Sequence, residues 1–125
     1  MCVCVFVRAV LSAAVRFSDY ASIGRGQVQG VHGGAIESAL DEATAETAKT
    51  KLFPFATTYS IEFKIKKMVS PNVTYAIKCV VEKEHIKDIK YDVSGKMYAV
   101  DADGALIEKE LYATCLAVMV NTPKL

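Results

Sequence analysis

The sequence predicts an α+β domain, one long helix followed by an antiparallel meander, and three stretches carry that prediction. Within residues 35–49, Ile36, Ala39, Leu40 and Ala43 fall at i, i+3, i+4 and i+7, the spacing of one face of an α-helix. From Tyr59 the period changes to two: Tyr59, Ile61, Phe63 and Ile65 alternate with Ser60, Glu62, Lys64 and Lys66, as in a half-buried strand. Later, Asp101-Ala102-Asp103-Gly104 separates two apolar runs and supplies a hairpin turn with glycine where positive φ is needed.

Taken in order, residues 1–15 are almost wholly apolar, broken by Arg8 and Ser12. This stretch is shorter than the roughly 20 residues a membrane-spanning helix requires. No positive charge precedes it, as a secretory signal would want. Arg8, Ser12 and Arg16 recur every four residues and no acid occurs before Asp19, which suits either a mitochondrial presequence or a packed amphipathic first helix; a misassigned start is a third origin. The expected organisation is therefore an N-terminal segment, residues 1–15, and a domain, residues 16–125. Residues 22–34 hold Gly24, Gly26, Gly30, Gly33 and Gly34 and read as a loop that permits close backbone approach. The helix follows, acids early and lysines late in agreement with its dipole, and Phe53-Pro54 ends it. Further strands are expected at about residues 73–82, 91–100 and 106–120.

Composition narrows the function. At 125 residues, 52% of them apolar, the chain buries about two-thirds of its unfolded surface and needs neither disulfide nor metal to hold a core. The formal net charge of +1 provides no general attraction to phosphate backbones, so nucleic acid is not an expected partner. Cys2, Cys4, Cys79 and Cys115 make no C-x-x-C pair and read as reduced, buried thiols. With His32 and His85 the only histidines, no metal site and no cofactor are expected. His85 lies in the polar turn Glu82-Lys83-Glu84-His85 and reads as a surface residue. Cys79 and Cys115 fall within strand patterns, so nothing resembles a nucleophilic triad.

The chemistry concentrates where Gly30-Val31-His32-Gly33-Gly34 runs into the helix. The first turn of a helix leaves backbone N–H groups without internal partners, and the dipole adds positive potential there. Glycine lets a ligand reach those donors, and a carbonyl oxygen that becomes an oxyanion during acyl transfer suits them. Taken alone, His-Gly-Gly is a tight loop entering a helix. Asp41, two turns further on, is the carboxylate best placed to activate water or attack an acyl carbon. On a helical wheel it lies opposite the Ile36/Leu40/Ala43 stripe, yet its neighbours Ser38, Ala45 and Ala48 are small, which suggests that something packs there, such as a second subunit.

Val31-His32-Gly33-Gly34-Ala35-Ile36, Asp41 nine residues after the histidine, and one helix before a four-strand meander together resemble a hotdog-fold acyl-CoA thioesterase, in the phenylacetyl-CoA thioesterase-like branch. The similarity covers about residues 16–120. It includes Thr57-Thr58 opening the first long strand, Lys67 to Pro71 in place of a basic-Pro turn, and Asp101 to Gly104 before the last strand. Glu37, one turn before Asp41, and Met68 depart from the family pattern. The resemblance implies a hotdog fold, an antiparallel sheet wrapped around one long central helix. It implies that Asp41 is general base or nucleophile, that the Gly33 or Gly34 N–H polarises the thioester carbonyl, and that His32 orients the loop or contacts the thioester. Thr58, with Thr57 as runner-up, would position the attacking water from the neighbouring subunit, since the family's active sites lie at a dimer interface.

Coenzyme A carries a phosphate and a pyrophosphate, so Lys66, Lys67, Lys87 and Lys90 are the candidates to hold it. Phe53, Phe55, Tyr59, Met68 and Tyr75 are the candidates to line an acyl pocket. The expected protein is a homodimer, or a tetramer built as a dimer of dimers, acting on acyl-CoA in the cytoplasm or the mitochondrial matrix. Two other functions fit the same fold: a non-catalytic acyl-CoA-binding module, and an enoyl-thioester hydratase or dehydratase, for which the family's His plus Pro-Gly arrangement is missing.

Overall fold

The computed structural model describes residues 2–7, 10–25 and 28–124. Strands β1 (Cys2–Val7), β2 (Val10–Arg16), β5 (Thr57–Ile65), β6 (Thr74–Ile86), β7 (Lys90–Val100) and β8 (Leu106–Val120) form one antiparallel sheet in the order β1-β2-β6-β7-β8-β5. Among the described residues a single long helix, α1 (Gly33–Leu52), lies against one face of this sheet and touches β2, β5, β6, β7 and β8. A curved antiparallel sheet holding one central helix is the hotdog fold.

Alternation along each strand decides which residues meet the helix. Leu11, Ala13 and Val15 of β2, Tyr75, Ile77 and Cys79 of β6, Val93 and Met97 of β7, and Ala113, Cys115, Ala117 and Met119 of β8 are all buried. They pack against Ile36, Leu40, Ala43, Ala48 and Leu52 of α1. Thr44 and Thr47 also face the sheet with no exposure, and their hydroxyls donate back to the Leu40 and Ala43 carbonyls, which satisfies them inside the core. Truncating Leu40 to alanine in such a site costs about 2–5 kcal/mol.

The helix begins where His32 leaves the helical region and its side chain caps the first turn, and it ends at Phe53, held extended by the proline after it. It is longer at both ends than the apolar periodicity alone indicates. The turn at residues 101–104 is as expected: Gly104 has φ +81°, its N–H donates to the Asp101 carbonyl, and Asp101 Oδ1 accepts from the N–H groups of Asp103 and Ala105.

The opening segment differs from its prediction. Cys2–Val7 and Val10–Arg16 are not helical but pair with each other as a β-hairpin, and β2 then pairs with β6. The four-residue polar spacing that suggested a helix rests partly on Arg8, which lies outside the described residues. Ser12 and Arg16 are exposed while Leu11, Ala13 and Val15 are buried, a period of two. The boundary drawn after residue 15 therefore falls within β2. The glycine-rich stretch is likewise more ordered than a loop: β3 (Ser22–Arg25) and β4 (Val28–Val31) form a two-stranded ribbon. Val31 N–H donates to the Val69 carbonyl and His32 N–H to the Ala21 carbonyl, which fixes the entry to α1. Among the described residues no helix is long and apolar enough to cross a membrane.

Among the described residues β5 is an edge strand, paired only with β8. Coverage of the face expected to be apolar is incomplete, and Tyr59 departs from it: Thr58 takes the helix side at Asp41, while Tyr59 lies against Lys90. Ile61 and Phe63 are half-buried, whereas Tyr59 and Ile65 are 65% and 45% exposed. The pairing register also shifts between Thr58 and Ser60, so Tyr59 is an extra residue at a bulge.

Candidate active site

Asp41 and Thr58 come together. Thr58 Oγ1 donates to Asp41 Oδ1 at 2.6 Å and lies 3.6 Å from Met119 Sδ. The carboxylate is half-buried on the flank of α1 that faces β5, not opposite the core stripe, because the buried arc of the helix widens toward its C-terminal half to include Ala48 and Leu52. Of the small residues noted beside Asp41, Ala48 is core, Ala45 is half-buried and Ser38 is exposed. Thr58 reaches Asp41 from within the same chain, so this contact needs no neighbouring subunit. Thr57, one residue earlier, is exposed and makes no such bond.

The helix N-terminus is built by His32. Its Nδ1 accepts from the Gly34 N–H at 2.9 Å, and its carbonyl accepts from Ala35 and Ile36. Gly34 N–H is thereby occupied. Gly33 N–H has no hydrogen-bond partner among the described residues. A Cβ on Gly34 would meet His32 Nδ1 at 3.0 Å, and one on Gly33 would meet Ile65 Cδ1 at 3.3 Å. Of the two glycines expected to offer a donor, Gly33 has it free.

Gly33 and Asp41 of one chain are not neighbours. Eight helical steps separate them, about 12 Å at a rise of ~1.5 Å per residue. A base and an oxyanion donor acting on the same carbonyl must each approach within about 3 Å of the reacting atoms. Gly33 lies near Ile65 at the end of β5, and Asp41 near Thr58 at its start.

The four lysines divide in the same way. Lys66 and Lys67 follow the end of β5, while Lys87 and Lys90 lie at the β6–β7 turn, beside the start of β5 through the register Thr57–Val120–Lys90. β5 spans about 26 Å, so one chain does not gather them into a single patch. Lys67 Nζ pairs with Glu110 Oε2 at 3.0 Å and lies over the Tyr112 ring; Lys90 Nζ sits 4.8 Å from the centre of the Tyr59 ring. The apolar candidates split too. Phe53, Phe55, Tyr59 and Met68 are exposed, whereas Tyr75 is buried in the core, its hydroxyl accepting from Ser70 N–H.

Cys115 is buried, and burial pushes its thiol up to about 11, with the Gly95 backbone hydrogen bond working against the shift and the Asp41 charge adding to it. A thiol held protonated is not a nucleophile. Cys79 is buried as well. His85 Nε2 lies 2.8 Å from Asp92 Oδ1 on the β6–β7 hairpin, outside the Asp41 site. One residue near the site escapes the motif-based reading: Gly95, in the middle of β7, lies under α1 between Cys79 and Cys115. Its signal is a lone glycine inside a strand pattern, which marks close approach by another backbone or side chain.

No family model matches the sequence, and no curated protein matches it. Solved structures do match the fold. A phenylacetic acid degradation-related protein from Ralstonia eutropha superimposes with a TM-score of 0.75 at 17% identity, over 95% of this chain and 83% of that one. A thioesterase family protein from Silicibacter pomeroyi gives 0.76 at 15% identity, over 95% and 82%. An acyl-CoA hydrolase from Staphylococcus aureus, in complex with butyryl coenzyme A, coenzyme A and coenzyme A disulfide, gives 0.76 at 14% identity, over 90% of this chain and 65% of that one.

Proposed function

We propose that this chain is an acyl-CoA thioesterase whose complete site is formed by two copies, Asp41 and Thr58 from one and the Gly33 N–H from the other. The observation that carries the proposal is the Thr58–Asp41 hydrogen bond on the flank of the central helix, with a free Gly33 N–H at the head of that helix. The similarity in fold to thioesterases and to an acyl-CoA hydrolase with CoA bound supports it.

The assembly follows from the arrangement of β5. This edge strand is nine residues long and exposes Tyr59 and Ile65, an invitation to strand pairing. Antiparallel pairing of β5 with its copy about a two-fold axis sets the start of each strand against the end of the other. The Asp41 half of one chain then faces the Gly33 half of its partner. The same exchange sets Lys87 and Lys90 beside the second copy's Lys66 and Lys67, a basic surface for the CoA phosphates. It also sets Phe55 and Tyr59 against the second copy's Ile65 and Met68, an apolar wall for the acyl group.

In the reaction, water attacks the thioester carbonyl carbon while Asp41 takes its proton. Thr58 holds the carboxylate and the Gly33 N–H stabilises the oxyanion. Collapse breaks the C–S bond, releasing the acid, and the CoA thiolate takes up a proton. Attack by Asp41 itself, giving an acyl anhydride that water then opens, uses the same groups and yields the same products. Coenzyme A enters as part of the substrate and no cofactor takes part. The compartment is that of intracellular acyl-CoA, cytoplasm or mitochondrial matrix.

The test is a thiol-release screen across short, medium, long and aryl acyl-CoAs, with Asp41→Asn as the blank. Release by the wild type and none by the variant is the expected result. Micromolar binding without cleavage would replace this reading with that of an acyl-CoA-binding module, and consumption of an enoyl thioester without thiol release with that of a hydratase.

A further inference from the structure

A row of small residues crosses the sheet beneath Asp41. Gly95 on β7 stands opposite Cys79 on β6 and Cys115 on β8. A Cβ built on Gly95 would meet Cys115 Sγ at 2.8 Å, Thr44 Cγ2 at 3.2 Å and Cys79 Sγ at 3.4 Å. The glycine is therefore the gap into which the Thr44 methyl descends. Thr44 is also bound to the site: its hydroxyl donates to the carbonyls of Leu40 and Asp41, both at 2.9 Å, on the turn that carries the carboxylate. From there Asp41 reaches sideways to Thr58.

We infer that Gly95 is a positioning residue for the Asp41 carboxylate: by admitting Thr44, it sets the height of α1 above the sheet at the level where Asp41 meets Thr58. The inference rests on the reading of Asp41 as the catalytic carboxylate, and it adds a residue on a strand that touches neither substrate nor Asp41. Close-packed interiors transmit such a change rather than absorbing it, and a misplacement of about 1 Å at reacting groups costs up to a hundredfold in rate. Cys115 is the second neighbour that a Cβ would strike, so the effects on sheet and helix can be separated by substitution.

The experiment compares wild type, Gly95→Ala, Gly95→Ala/Cys115→Ala and Gly95→Ala/Cys115→Ala/Thr44→Ser, measuring kcat and KM well below the unfolding temperature. The Cys115→Ala change removes the tighter clash, so the double variant folds even where Gly95→Ala alone does not. Expected is a kcat lower by roughly tenfold to a hundredfold in the double variant with KM near the wild-type value, and recovery once Thr44→Ser removes the methyl. Full activity in the double variant overturns the inference, because the helix contact would then be without effect, and so does a failure of Thr44→Ser to restore it. A crystal structure of the double variant gives a result independent of turnover. Thr58 Oγ1 and Asp41 Oδ1 should separate beyond the O–H···O hydrogen-bond range, about 3.0 Å, and an unchanged pair overturns the inference whatever the enzyme does. A wild type that cleaves no thioester sinks the proposed function instead, and leaves this structural comparison to decide the role of Gly95.

Discussion

Thr58 Oγ1 donates to Asp41 Oδ1 across 2.6 Å, linking the middle of the central helix to the start of the edge strand. The bond leaves the second carboxylate oxygen for a water or an acyl carbon. Asp41→Asn should lose thioester hydrolysis almost entirely, by about a thousandfold or more, as for removal of a general base or nucleophile. Thr58→Ala should lower kcat by roughly tenfold to a hundredfold, with Thr58→Ser close to wild type because the hydroxyl is kept. Equal activity for the alanine and serine variants in a thiol-release assay would show that the hydroxyl has no part in turnover.

His32 acts first on the fold. Its Nδ1 caps the Gly34 N–H, so His32→Ala should destabilise the chain by about 1 kcal/mol, and His32→Asn, a good capping residue, should recover most of that. Urea unfolding measures both. A stability unchanged in His32→Ala would mean that the cap contributes nothing and that His32 serves only the ligand.

The Cys115 thiol gives the pH prediction. Its folded value, about 11, is above the ordinary 9.0 because burial disfavours the thiolate. Between those values the folded chain holds a proton that the unfolded chain releases, so stability falls as pH rises from about 9 toward 11. Below pH 9 the group has no effect on the slope. Denaturation midpoints of wild type and Cys115→Ala, measured across that window, should show the alkaline loss reduced in the variant; parallel curves would remove Cys115 as its source.

Helix and meander were legible because periodicity is a local property: Ile36 to Ala43 and Tyr59 to Lys66 announce their own structure. The opening segment was not, since alternation in a run as apolar as residues 1–15 is hidden when both faces carry apolar side chains. Asp41, Gly33 and Thr58 could be singled out from the sequence, but not that Gly34 is occupied by His32, nor that Thr58 and Asp41 meet within one chain. Those facts depend on a rotamer and on the path of β5. Gly95 was hidden for a different reason. Its neighbours Thr44, Cys79 and Cys115 are distant in sequence and converge only when helix and sheet are packed.

The lysines differ in what already holds them. Lys67 is paired with Glu110 and Lys90 stacks on Tyr59, whereas Lys66 and Lys87 are exposed with no ion pair among the described residues. If the phosphates of CoA rest on this surface, Lys66→Ala and Lys87→Ala should each raise KM several-fold with kcat unchanged, and the increase should shrink as salt is added. A KM indifferent to both substitutions and to ionic strength would assign CoA to another surface.

The composite site admits a decisive test because its halves can be disabled separately. Gly33 is the first residue of α1, where proline is well accommodated, and His32 before it is already extended at φ −59°, ψ 135°. Gly33→Pro therefore deletes the free N–H while keeping the helix start, and its Cβ would meet only the flexible end of Ile65. Each of Gly33→Pro and Asp41→Asn should be inactive alone. Co-refolded in equal amounts, half of the dimers are mixed, and each mixed dimer holds one intact site built from the wild-type Asp41 of one chain and the wild-type Gly33 of the other. About a quarter of wild-type activity should return. If instead both groups served a site within one chain, every site in the mixture would carry a defect and no activity would return.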